Sequence, residues 1–133
     1  LHDSDGGHHL HFGFGDTTGW YTKHNVFYQS GSPVRIRWNT NTAISLAQFQ
    51  ATFPTQGINS VDADPLFVAP ASLDFRVQTT AQGYPVDSPA ADAGVDHEIY
   101  DTFTQMYGVD IRQGRDGTPR SLTMPDIGAY EVD

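Results

Sequence analysis

Apolar and polar residues alternate most cleanly over Val34-Arg35-Ile36-Arg37-Trp38, which puts three apolar side chains on one face and two guanidinium groups on the other. A period of two predicts a strand with one buried face. A second extended pattern runs through His8-His9-Leu10-His11-Phe12-Gly13-Phe14. There His9 and His11 share one face, while Leu10, Phe12 and Phe14 share the face expected to be buried. Between the two, Trp20 to Tyr28 is rich in aromatic and β-branched residues and reads as another extended run, ended by Ser30-Gly31-Ser32-Pro33. The period then changes. Ser45 with Gln48 three residues on forms a capping box, and Leu46, Phe49 and Phe53 fall on one helical stripe that Pro54 and Gly57 terminate. This predicts one short amphipathic helix over residues 45–53, laid over a sheet.

Beyond the helix lies a seam, Val61-Asp62-Ala63-Asp64-Pro65-Leu66-Phe67-Val68 followed by Leu73-Asp74-Phe75-Arg76-Val77. Pro65 stops any helix, and two strand-like runs flank a polar turn. After the seam, prolines and glycines interrupt every element. Residues 95–107 carry a helical turn or two through Ile99, Phe103 and Met106, and 112–120 reads as an exposed loop. The final apolar set, Ile127, Ala129 and Val132, is expected to dock back onto the body. Residues 1–60 are thus expected to form strand-rich coils with the helix, and 61–133 a capping region of the same domain.

At 133 residues the chain fits one domain, and 13 Gly with 8 Pro imply abundant turns. A formal charge of −9 opposes phosphate backbones, so no nucleic-acid partner is expected. No apolar run approaches the roughly 20 residues needed to span a bilayer, so no membrane span is expected either. With no Cys, disulfides, thiolate metal sites and thiol nucleophiles are excluded. The first residue is Leu1 instead of Met, which suggests a processed protein or a piece of a longer one.

Taken in order, the series Asn25-Val26-Phe27-Tyr28, Val34 to Trp38, the 45–53 helix, Asp64-Pro65-Leu66-Phe67, Asp74-Phe75-Arg76-Val77, Ser88-Pro89-Ala90-Ala91-Asp92-Ala93-Gly94 and Asp126-Ile127-Gly128-Ala129-Tyr130-Glu131 resembles a known architecture. It is similar to the C-terminal part of secreted bacterial right-handed parallel β-helix proteins, including those with a choice-of-anchor Q domain and relatives of polysaccharide lyases. The resemblance spans roughly residues 24–131. It implies an all-β fold: terminal coils of a right-handed parallel β-helix, one short helix and an irregular C-terminal cap. It also implies a secreted or cell-surface location and a role in capping an extracellular carbohydrate-associated protein, with polysaccharide as the partner. A polysaccharide lyase acting on uronate-containing glycan is the enzymatic alternative, and a self-assembling surface or filament subunit the structural one. Too few coils for a stable solenoid implies that another chain, or a missing N-terminal β-helix portion, stacks on the first coil.

Candidate chemistry concentrates before the seam. Trp20 and Tyr21 offer faces for sugar rings, and Arg35 and Arg37 are suited to bidentate contact with uronate carboxylates, together forming a candidate carbohydrate-binding set. The competing reading pairs both arginines with the chain's many carboxylates and puts Trp38 in the core. A lyase needs a base and a cation beside the uronate carboxylate, for which Lys23, His24 and Arg35 are the candidates. His9 and His11, with Asp3 or Asp5, form a candidate metal set, against a plain sheet-stacked pair. Asp3-Ser4-Asp5-Gly6 resembles half of a calcium loop, so calcium is the candidate ion, against a simple polar turn. Asp62, Asp64, Asp92, Asp126 and Glu131 are either a source of glycosidase carboxylates or caps for local turns, the second reading being the stronger.

Overall fold

The computed structural model describes residues 9–12, 19–39 and 44–132. Two compact units divide between Asp64 and Pro65, inside the seam.

In the first unit, β1 (Leu10–Phe12) lies parallel to β3 (Ile36–Trp38), and β2 (Val26–Phe27) lies parallel to β4 (Val61–Asp62). Alternation places Val34, Ile36 and Trp38 on the inner face of the β3 segment, where each is at most 2% exposed. Helix α1 (Leu46–Thr52) covers them. Its capping box is formed as the sequence requires: Gln48 N donates to Ser45 Oγ at 3.2 Å, and Ser45 N donates to Gln48 Oε1 at 3.1 Å. Leu46 and Phe49 are buried, and Phe53 packs against the same cluster. Trp38 stacks on Phe12 at 4.7 Å and on Phe49 at 5.4 Å between ring centroids. Burying a side chain of the size of Phe49 contributes roughly 1.5–3 kcal/mol, so this aromatic cluster organises the unit.

The second unit opens on an antiparallel pair, β5 (Phe67–Ala69) with β6 (Asp74–Val77). Leu73, at the turn between them, adopts a left-handed φ of 61°. Helix α2 (Ile99–Tyr107) follows. Its first amide is met by the His97 ring, and its end is closed by Gly108 at φ 69°, whose N–H reaches Thr104 O at 2.8 Å.

The expected right-handed parallel β-helix is not what forms. Among the described residues the strands are two to four residues long and lie in three separate two-stranded sheets, one of them antiparallel. A solenoid needs a third strand stacked on each pair, and none is present among the described residues. Among the described residues the fold is mixed α and β, with two α-helices against the one expected. The physical reason is local. Gly31, Pro33, Pro54, Pro65 and Pro70 cut the extended runs before they grow long enough to stack. Two smaller expectations change as well. Arg112 is an inward anchor, with a side chain only 10% exposed, and not part of an exposed loop. The chain's end is fastened by buried Asp126 and Glu131, while Ala129 of the expected apolar set is exposed.

Candidate functional site

Strand alternation separates the sequence-derived sugar candidates. Arg35 and Arg37 leave the β3 segment on the face opposite Ile36 and Trp38. Trp20 and Tyr21 instead sit beside Trp38, on the wall of a cleft of about 380 Å³. Asn39, Thr52, Phe53, Pro54, Thr55 and Gln56 complete that wall. Trp20 is 56% exposed and Tyr21 65%, so both rings keep open surface, although Trp20 also meets Phe12 edge-on at 4.9 Å and Lys23 lies over one face of Tyr21. The cleft therefore joins aromatic surface to a rim of hydroxyls and carboxamides.

One residue that sequence reasoning missed holds this arrangement. The Gln56 side chain is 7% exposed and behaves like a peptide group inserted beside a strand. Its Nε2 donates to Trp20 O at 2.7 Å, and its Oε1 accepts from Thr22 N at 2.9 Å. Gly57 N then donates to Thr22 O, and His24 N to Ile58 O at 2.9 Å, so the segment carrying the two aromatics is zipped to residues 56–58. Gly57 has φ 65°, and a Cβ there would meet Gln50 Cγ at 3.0 Å and Phe49 Cδ1 at 3.2 Å. A side chain at this position would push α1 away from the loop that positions Trp20. The sequence signal was a lone Gln before a Gly, too weak to single out.

The remaining candidates scatter around this framework. Lys23 Nζ stands 5.0 Å from the centroid of the Tyr21 ring, in cation–π geometry. His24 has φ 50° and its Nε2 lies 3.4 Å from Asn59 Nδ2. Arg35 is exposed, and the Arg37 Nε is buried without a hydrogen-bond partner.

Leu10 and Phe12 pack on the core and His11 is exposed, as alternation requires, but His9 is only 5% exposed. It turns inward because it grips Arg35 twice: His9 N donates to Arg35 O at 2.8 Å, and Arg35 N donates to His9 Nδ1 at 3.1 Å. Asp3 and Asp5 lie outside the described residues. Among the described residues no group of three His, Cys, Asp or Glu side chains is arranged to hold a metal ion.

The acids of the tail motifs are tied to backbone in the second unit. Asp126 accepts from Asp92 N and Val132 N, each at 2.8 Å, and Glu131 accepts from Ser121 N at 2.8 Å and Asp126 N at 3.0 Å. Each of their four carboxylate oxygens thus holds a main-chain amide, which suits closure of a turn and not acid–base exchange with a substrate. Burial pushes the Asp126 carboxyl pKa up, against the two amides that pull it down. Gly94 lies against the same turn, donating to Pro125 O at 2.7 Å, and a Cβ there would come within 2.6 Å of that oxygen.

No protein-family model, curated protein or solved structure matches this chain. Among the described residues no helix is long and apolar enough to cross a membrane.

Proposed function

We propose that the chain binds polysaccharide through the Trp20–Tyr21 cleft, outside the cell or at its surface. The observation that carries this reading is the pairing of two widely exposed aromatic rings with a neighbouring cleft rimmed by Asn39, Thr52 and Thr55. Sugars present an apolar C–H face and an equatorial belt of hydroxyls. An aromatic wall with polar neighbours complements both. The extracellular setting rests on the resemblance of the motif series running from Asn25 to Glu131.

Binding to insoluble polysaccharides, measured by depletion from solution, tests the proposal. Trp20→Ala should weaken binding about tenfold and Tyr21→Ala somewhat less, with an unchanged circular-dichroism spectrum. Wild-type binding that both substitutions leave intact would sink it.

A further inference from the structure

Three features of the cleft bear on which sugars it takes. The first is its charge. Among the described residues that line it, none is Asp, Glu, Lys, Arg or His. The second is the whole chain's field, a formal net charge of −9 that disfavours an approaching carboxylate. The third is Asn39, a lining residue whose Oδ1 is buried without a hydrogen-bond partner, although its own N–H is secured on Phe12 O at 2.7 Å. An unmet acceptor is costly and calls for a donor. The arginines that would recognise a carboxylate leave β3 on the opposite face.

Building on the carbohydrate reading, we infer that the cleft is selective for neutral glycans over uronates, with Asn39 as the residue that accepts a hydroxyl of the bound sugar. Once the Asn39 carboxamide turns out into the cleft, a neutral hexose supplies the missing donor and stacks on Trp20 without bringing a carboxylate into a lining that holds no charge. A uronate must shed water from its carboxylate there with no cation among the lining residues, the one beside them being Lys23, whose ammonium is already engaged on the Tyr21 ring. Asn39 adopts φ 55°, a left-handed conformation that Asn tolerates and that places its side chain at the end of β3, next to Trp38.

The test is a set of matched titrations of the full chain followed by tryptophan fluorescence, since Trp20 and Trp38 both line the cleft. Hexasaccharides of glucose, galactose and mannose are compared with those of glucuronate, galacturonate and mannuronate, each pair differing only at C6. The best neutral ligand should bind about tenfold more tightly than its acidic counterpart. Asn39→Gly, which keeps the left-handed backbone and removes the carboxamide, should weaken the neutral ligand about fivefold and leave the acidic one unchanged. Equal or tighter binding of the uronate in the best pair overturns the selectivity, and an unaltered affinity in Asn39→Gly overturns the role of Asn39. Silence toward all six ligands overturns the underlying carbohydrate reading as well, so the two failures are told apart.

Discussion

The two units are held together by opposite means. In the first, Phe27, Val34, Ile36, Trp38, Leu46 and Phe49 form a contiguous buried apolar cluster. In the second, among the described residues, the buried apolar side chains are Val77, Ala90 and Pro125, and the buried side chains that hold main chain by hydrogen bonds are Ser88, Asp126 and Glu131. Arg112 adds a cationic hub there, 2.8 Å from Asp96 and 2.7 Å from Asp101, with its guanidinium over the Tyr100 ring. Meanwhile Ile99, Met106 and Tyr107 of α2 stay more than 60% exposed. Apolar packing is non-directional and tolerates reshaping, whereas a buried hydrogen-bond network fails when one partner is lost. The Asp126–Glu131 turn of the second unit should therefore respond to single-atom changes that the apolar cluster of the first would absorb.

Four experiments test that contrast. Phe49→Ala should cost the first unit about 3–5 kcal/mol, because a fully buried ring leaves a cavity among Trp38, Phe53 and Leu46. Both tryptophans lie in that unit, so denaturation followed by tryptophan fluorescence reads it alone. In the second unit, Asp126→Ala orphans the amides of Asp92 and Val132 and should cost roughly 2–4 kcal/mol. Hydrogen exchange at those two amides should accelerate accordingly, and protection that persists would contradict the network account. Ser45→Ala, which removes half of the capping box, should cost only about 1 kcal/mol by the same fluorescence assay.

The smallest effect is a pH response confined to the second unit. Burial raises the Asp126 pKa, so its folded form holds the proton more tightly than the unfolded chain. Its contribution is complete below about pH 4 and is lost as pH rises through its folded value. Asp74, Asp87 and Asp116 behave oppositely. The first is lowered by its hydrogen bond to Arg76, and the other two by the Thr80 and Thr118 amides. Their contribution is present above about pH 4 and disappears as pH falls through their folded values. On acidification, carboxyl resonances should show Asp126 protonating before the other three. Simultaneous titration of all four would show that its burial has no electrostatic effect.

How much of this was legible follows from the range of each interaction. Helix α1 could be read at both ends because its capping box and Pro54 act within a few residues. The inner face of β3 was equally plain from alternation. By contrast, the burial of His9 depends on the Arg35 backbone, and Arg112 looked like loop because its partners Asp96 and Asp101 arrive from another segment. The terminal β-helix coils suggested by the motif series did not form, since motif order alone sets neither strand length nor stacking.

For the cleft, the chemical parts were already legible in the residues: two adjacent aromatics, a strand with apolar and cationic faces, a short capped helix and a strongly acidic balance. Each of these is local or compositional and needs no partner to be recognised. Which parts meet, and which rings stay exposed, depended on folding. Period-two alternation sends Arg35 and Arg37 away from Trp38, while the Gln56 carboxamide draws Trp20 and Thr22 to the wall that Trp38 forms. Those contacts join residues far apart in the chain, and only folding brings them within hydrogen-bonding distance.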